Sequence, residues 1–373
     1  MNSRIKVLYL VNIPAPYMVS YFNELGKLCD LTVIFEKETS TERDRSWKKY
    51  KFVNFNGIVL KGIATDVDAA FCPQIMRYLK RGVYDFIFIS NMATPTGIVA
   101  IEYLRWKKID YFLESEGGFA KSGKGLKEKF KKHIMSKAAG YFSTTPIGDE
   151  YFITYGADKE KIVKYPFTSI YEKDILPRIL TDEEKKCVRS YLGMKEKKII
   201  VSVGRFIPVK GFDVLLKAAG ELKTEDVGIY VIGGKEPTLE YRTIMKDMKL
   251  QNIHFVPFKD KEELDNYYKA ADVFVLPTRG DVWGLVINEA MAKGLPIITT
   301  EKCIAGMELV KNEENGYIVP VDNIEQLSQK INRIIADKDL RTKMGKNSLK
   351  KIVWYTFENM AKVHMNFFEE NRK

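Results

Sequence analysis

The stretch TRGDVWGLVINEAMAKGLPIITT, residues 278–300, carries Asp281 and Glu289 eight positions apart, with Trp283-Gly284-Leu285-Val286 between them. Two acids at that spacing suit either an acid–base couple or the walls of a ligand site. The flanking runs VFVLPT and LPIITT read as strands, so Gly284-Leu285-Val286 is expected to start a helix at a strand's carboxyl end. Such a start presents unpaired backbone N–H groups and the positive end of the helix dipole, which together make an anion site. Glu289, one turn into the helix, is placed to meet a ribose diol, and Asp281, in the loop, another part of the ligand. With no ligand to serve, Asp281 is an ordinary turn residue and Glu289 a solvated helix residue.

Two more strand-to-helix turns lie upstream. In VSVGRFIPVKGFDVLL, Gly204 allows a tight exit from the strand, and Arg205 and Lys210 flank the turn. Two cations at the mouth of a sheet suit a diphosphate, Arg by its planar fork and Lys as a point charge. In IGGK (232–235), Gly234 ends another strand. Each glycine alone is also an ordinary turn.

These turns need a scaffold of parallel strands. The first half alternates short apolar runs with helical patterns: IKVLYLV (5–11), LTVIF (31–35), YDFIFIS (84–90), IDYFLE (109–114) and GYFSTT (140–145). Buried runs with helices between them mark a parallel sheet covered on both faces. The rhythm breaks near 165–196, a charged stretch with two prolines, and restarts with KIIVSVG (198–204), VGIYVIGG (227–234) and NIHFVPF (252–258). The expected fold is α/β, with two Rossmann-like domains in tandem facing a crevice. Their expected bounds are 1–170 and 197–350, with a linker at 171–196 and a final helix within 351–373.

Composition narrows the rest. At 373 residues with 45% apolar content, the chain is long enough for two globular domains. No apolar run reaches the roughly 18–20 residues that span a bilayer, and no signal-peptide cleavage pattern follows the first strand, so a cytoplasmic location is expected. The four scattered cysteines form no CxxC pair and do not cluster with the three histidines. That points to reduced, buried thiols rather than disulfides or zinc. The net charge of +11 is concentrated early: residues 1–180 hold 28 basic and 20 acidic side chains. An anionic partner is therefore expected on the first half.

GRFIPVKGFDVLL, followed about seventy residues later by ADVFVLPTRGDVWGLVINEAMAKGLPII, resembles the second domain of glycosyltransferase family 4, retaining enzymes of the GT-B fold. The resemblance implies a nucleotide-diphosphate-sugar donor, UDP-sugar in preference to GDP-sugar, with no cofactor and no metal. It implies that Arg205 and Lys210 hold the diphosphate, beside the turn glycines Gly204 and Gly234. Trp283, Gly284 and the amides of Leu285 and Val286 line the same phosphates, and Glu289 meets the ribose. Pro257-Phe258 falls where the family's backbone reads the base. Asp281 falls where the family usually has a glutamate contacting the transferred sugar. The acceptor is a glycan or a lipid-linked glycan, in the setting of bacterial surface-polysaccharide assembly. A nucleotide-sugar epimerase of the same fold is the alternative activity.

The first half departs from that pattern. NIPAPYM (12–18) stands where many relatives carry a double-glycine loop, and its prolines remove two backbone donors. FLESEGGF (112–119) makes Glu116 the candidate to face sugar or acceptor from the opposite wall. Between Lys121 and Lys137 lie seven lysines and one glutamate, with Leu126, Phe130 and Ile134 four apart. The apolar stripe is expected to pack inward and the lysines to face solvent. Those lysines also suit an anionic membrane surface, at about 1 kcal/mol each, which gives peripheral attachment at the inner face of the membrane. The DVD (66–68) and DKD (337–339) pairs do not follow a suitable strand of the second domain, so no metal site is expected. The first strand lacks the G-x-G-x-x-G turn of a nicotinamide enzyme. Two sheets of glycine-ended strands do not suit a nucleic-acid binder, despite the charge.

Overall fold

The computed structural model describes residues 4–40, 51–120, 123, 125–223, 226–234 and 236–372. The chain divides into two compact units, Met1–Thr168 with Thr356–Lys373, and Ser169–Tyr355. Unit 1 opens with β1 (Lys6–Val11), α1 (Pro16–Leu28), β2 (Asp30–Phe35) and β3 (Asn56–Val59). A short antiparallel pair follows, β4 (Ile63–Ala64) with β5 (Ala70–Phe71). Next come β6 (Phe86–Ile89), α2 (Pro95–Lys107), β7 (Phe112–Ser115), α3 (Leu126–Met135), β8 (Gly140–Ser143), α4 (Pro146–Thr154) and β9 (Ile162–Lys164). The main sheet runs β3-β2-β1-β6-β7-β8-β9 with parallel pairings.

The period-2 alternation of these strands sorts the core into two chemistries. Ile87 and Ile89 of β6 join Leu8, Leu10 and Leu113 in an aliphatic cluster with α2. On the other face Phe88 stacks on Tyr9 at 4.7 Å and on Phe112 at 5.2 Å, and meets Phe142 at 4.9 Å.

Unit 2 carries α5 (Asp182–Tyr191), β10 (Lys198–Val203), α6 (Phe212–Ala219), β11 (Val227–Gly234), α7 (Leu239–Asp247) and β12 (Ile253–Pro257). It continues with α8 (Lys261–Ala270), β13 (Val273–Leu276), α9 (Leu285–Ala292), β14 (Ile297–Thr300), α10 (Ile304–Leu309), β15 (Gly316–Val319), α11 (Ile324–Ala336) and α12 (Lys338–Ile352). Its parallel sheet has the order β12-β11-β10-β13-β14-β15. Strand order reverses between β10 and β13, and a sheet of this kind binds ligands at the carboxyl ends flanking that switch point.

The segment 171–196, read from sequence as a linker, is part of unit 2. Lys185 and Arg189, four apart on α5, converge on the buried carboxylate of Asp272 at 3.5 and 2.9 Å. Asp272 also accepts from the Ile199 amide at 2.9 Å, so α5 is pinned to the edge of β10. The charges that made this stretch look like a solvated connection are its anchors.

The chain ends in α13 (Phe357–Asn371), which belongs to unit 1 and packs on α1. It covers the aromatic face: His364 stacks on Phe142 at 4.7 Å, and Phe368 on Phe86 at 4.8 Å. Beneath it, burial pushes the Glu114 carboxyl up to about 8 and the His364 imidazole down to about 4.

Candidate active site

The two turns at the switch point of unit 2 are built to leave helix amides open. Both α6 and α9 begin at a glycine in the left-handed region, Gly211 (φ 68°) and Gly284 (φ 99°), and neither has a side-chain cap. By contrast, Thr238 caps α7 and Asp260 caps α8. A Cβ on Gly211 would lie 2.0 Å from the Pro277 carbonyl oxygen, so only glycine lets the β10–α6 turn meet the loop after β13. A Cβ on Gly284 would lie 2.8 Å from the Cys303 sulfur. The first amides of α9, at Leu285 and Val286, have no intrahelical acceptor by the geometry of a helix start.

Cations surround these starts. Arg205 follows Gly204 directly off β10 and is half-buried. Lys210 Nζ lies 2.5 Å from Asp281 Oδ2, both side chains 18% exposed. The predicted diphosphate cation and the predicted sugar-binding acid are therefore partners of each other. A charged hydrogen bond of this partly wet kind is worth about 1–3 kcal/mol, so an incoming dianion can exchange it.

Glu289 sits one turn into α9, half-buried. It accepts from Ser169 Oγ and Tyr268 Oη, each at 3.0 Å. Burial raises its carboxyl above the ordinary range, and those two donors oppose the shift. A carboxylate has about four lone-pair sites, so two remain for further donors. Pro257 and Phe258 are exposed where β12 ends, and Phe258 N–H donates to the Gly234 carbonyl at 3.1 Å. Gly234 has a packing reason of its own: the Phe206 ring lies where a side chain would be.

Trp283 corrects the sequence reading. It is only 2% exposed, and its indole Nε1 donates to Asn288 Oδ1 at 2.8 Å. Its carbonyl accepts from Cys303 Sγ and the Ala305 amide. The indole is therefore buried and hydrogen-bonded within unit 2.

Glu116 is placed in unit 1, just after β7 and half-buried, and accepts from Tyr17 Oη at 2.9 Å. The NIPAPYM and FLESEGGF loops thus meet through Tyr17. Unit 1 also holds a cavity of about 740 Å³, lined among others by Glu36, Lys37, Glu38, Leu60 and Lys61, which are not the residues singled out from sequence.

The lysine helix is corrected as well. Leu126 and Phe130 are 85% and 48% exposed, and only Ile134 and Met135 reach the core. The inner side of α3 is instead taken by Lys131, whose ammonium lies 4.9 Å from the Tyr155 ring centre. His133 pairs with Glu102 at the surface. Lys121 and Lys124 lie outside the described residues. Cys29, Cys72 and Cys303 are buried free thiols, whereas Cys187 is exposed. Asp66 and Asp337 are used locally, accepting from the Val67 and Leu340 amides. Among the described residues no group of three or more His, Cys, Asp or Glu is arranged to hold a metal ion. Nor does any described helix have the length and apolarity to cross a membrane.

Sequence reasoning missed Ser169, Tyr268, Asp213 and Arg279. The last two form a fork-to-carboxylate pair across 66 positions, with Nη1–Oδ1 at 2.9 Å and Nη2–Oδ2 at 2.7 Å. No local spacing signals such a pair.

Residues 185–351, which contain every one of these unit 2 features except Ser169, match the sequence model of the family described as Glycosyl transferases group 1. Over those residues the chain is similar to group 1 glycosyl transferases. It is 30% identical over 220 residues to an uncharacterized glycosyltransferase of Methanocaldococcus jannaschii, covering 57% of this chain and 54% of that one. It is 21% identical over 293 residues, 76% of each protein, to the N,N'-diacetylbacillosaminyl-diphospho-undecaprenol alpha-1,3-N-acetylgalactosaminyltransferase of Campylobacter jejuni. The chain spans about half the length of several curated relatives it matches. The crystal structure of Anabaena HepE in complex with UDP superposes with a TM-score of 0.76 at 16% identity, over 98% of this chain and 99% of that one. The fold is GT-B, with two Rossmann-like units.

Proposed function

We propose that this protein transfers a sugar from a nucleotide-diphosphate sugar to a glycan or lipid-linked acceptor, with retention at the anomeric carbon and without a metal. The observation that carries the reading is Lys210 paired with Asp281 in the loop before the uncapped start of α9 at the switch point of unit 2, with Arg205 in the same turn as Lys210 and Glu289 one turn into α9. In the step, the bond from the sugar's anomeric carbon to the diphosphate oxygen breaks. A bond to the acceptor oxygen forms on the same face, and the acceptor's proton passes to the departing phosphate. Arg205, Lys210 and the amides of Leu285 and Val286 neutralise the charge that develops on that phosphate. Asp281, released from Lys210 by the incoming diphosphate, accepts from a sugar hydroxyl. Glu289 accepts from the ribose, and the backbone at Pro257-Phe258 meets the base.

UDP-sugars are the favoured donors, a choice supported by the UDP in the HepE complex. A lipid-diphosphate acceptor in bacterial glycan assembly is supported by the activity that names the Campylobacter relative. Glu116, held by Tyr17, is the proposed contact to sugar or acceptor from unit 1. The lysines of α3, with Leu126 and Phe130 exposed among them, would hold the protein on an anionic inner membrane face. Vesicles with and without phosphatidylglycerol test that attachment, which should be lost in Lys127→Glu/Lys129→Glu.

The test of the activity is a thermal-shift panel of UDP, GDP, ADP and their sugars, followed by incubation of the stabilising donor with and without acceptor. UDP and UDP-sugars should raise the melting temperature, since a ligand that binds only the folded state stabilises it. Failure of all these nucleotides to shift it defeats the reading. A changed sugar appearing without acceptor would instead mean epimerisation.

A further inference from the structure

Arg279 stands inside the loop between β13 and α9, two residues before Asp281, where an arginine invites assignment as a third phosphate cation. Its contacts argue otherwise. The guanidinium forks onto Asp213, in the first turn of α6, and Nε donates to Asp322 at 2.7 Å. Nη1 also donates to the Pro208 carbonyl at 2.5 Å. Four of its five N–H groups are therefore engaged, and its one positive charge faces two carboxylates.

The backbone around it is joined in the same place. Arg279 N–H donates to the Val209 carbonyl at 2.7 Å, and Thr278 Oγ1 to the same oxygen at 2.9 Å. Two residues after Val209, Gly211 lies against the Pro277 carbonyl with no room for a side chain. The turn that carries Arg205 and Lys210 is thus fastened to the loop that leads into α9. Asp213 is 8% exposed, so the pair works where screening by water is weak.

We propose that Arg279 is a positioning residue. It locks the two phosphate turns into one register, so that Arg205, Lys210 and the α9 amides face a single anion, and it does not itself contact that anion. This inference rests on unit 2 being the donor cradle. A cradle split by an ångström loses the benefit of convergence, whereas a missing ligand loses one ion pair.

The experiment compares Arg279→Ala, Arg279→Lys, the charge swap Arg279→Asp/Asp213→Arg, and Lys210→Ala. UDP affinity is measured at several salt concentrations, and hydrogen exchange on the ligand-free proteins. Arg279→Ala should weaken UDP binding about 10- to 100-fold. Its salt dependence should stay that of the wild type, because no phosphate contact has been removed. Lys210→Ala should weaken both affinity and salt dependence. The swap should recover part of the affinity, and Arg279→Lys, which loses the fork, should fall between wild type and Arg279→Ala. Without any nucleotide, amides at Val209–Gly211 and Thr278–Asp281 should lose protection together in Arg279→Ala. Wild-type UDP affinity in Arg279→Ala overturns the proposal. So does a reduced salt dependence like that of Lys210→Ala, which would make Arg279 a direct ligand. If wild-type protein binds no nucleoside diphosphate, the donor reading fails. The exchange data then decide the fastening alone, and unchanged protection overturns it.

Discussion

The two sheets reverse strand order in the same way, at β1/β6 in unit 1 and β10/β13 in unit 2, yet their carboxyl ends are finished with opposite chemistry. In unit 2 the helices that leave the switch point start at bare glycines beside Arg205 and Lys210. In unit 1, α2 is closed by its own Thr94 side chain, which accepts from the Gly97 amide, and α1 enters through Pro16. The same edge of unit 1 houses an acid: Glu36, just after β2, accepts from Asn91, Thr94 and the Ala70 amide. Burial pushes its carboxyl up to about 7 despite those donors. One scaffold thus presents an open, cationic end suited to a diphosphate and an end whose acid is already satisfied by the protein's own donors. The difference is made by a few turn residues, because the sheet supplies only the direction in which helix starts point.

That comparison can be broken most sharply by charge removal. Arg205→Ala and Lys210→Ala should each cut sugar transfer by about 10²–10³-fold, as loss of a group that stabilises departing charge does. Lys37→Ala, at the matching edge of unit 1, should leave UDP affinity unchanged. Assays of transfer and nucleotide titrations on the three variants separate the ends. Next in size is the helix start. Gly284→Ala strains a φ of 99° and crowds Cys303, and should lower both stability and UDP affinity. Thr94→Ala in unit 1 should cost about 1 kcal/mol of stability by loss of its cap, with UDP affinity intact.

Smaller effects divide the two acids of unit 2. Glu289→Ala should weaken UDP about tenfold, the loss of a hydrogen bond to a charged group. Asp281→Asn should depress turnover more than UDP affinity; equal losses in both variants would contradict the separate roles. The smallest effect concerns unit 1 alone. The folded state keeps the Glu114 proton up to about pH 8, whereas the unfolded chain loses it in the ordinary carboxylate range. Between those limits the native state binds more protons, so stability falls as pH rises. Glu114→Gln removes that slope, and its melting temperature should gain on the wild type by about 2–6 °C between pH 5 and pH 8.

Much of this was legible in the sequence, for identifiable reasons. Strands such as KIIVSVG announce themselves by apolar runs, and Gly284 before Leu285-Val286 announces a helix start. What escaped was long-range or inward-facing. The Arg279–Asp213 fork joins residues whose chain neighbours say nothing of each other. Trp283 looks like a ligand-facing aromatic until its burial and its bond to Asn288 are seen. The Leu126-Phe130-Ile134 repeat has helical spacing, but α3 touches the core only at its last turn. Spacing gives a face, and packing decides whether that face is covered.

The most direct test of the account is calorimetric titration of UDP into the wild type and into the Arg205→Ala/Lys210→Ala double variant. The account predicts saturable, one-to-one binding to the wild type, weakened at least about 100-fold in the double variant. Equal affinity in the two proteins would contradict it.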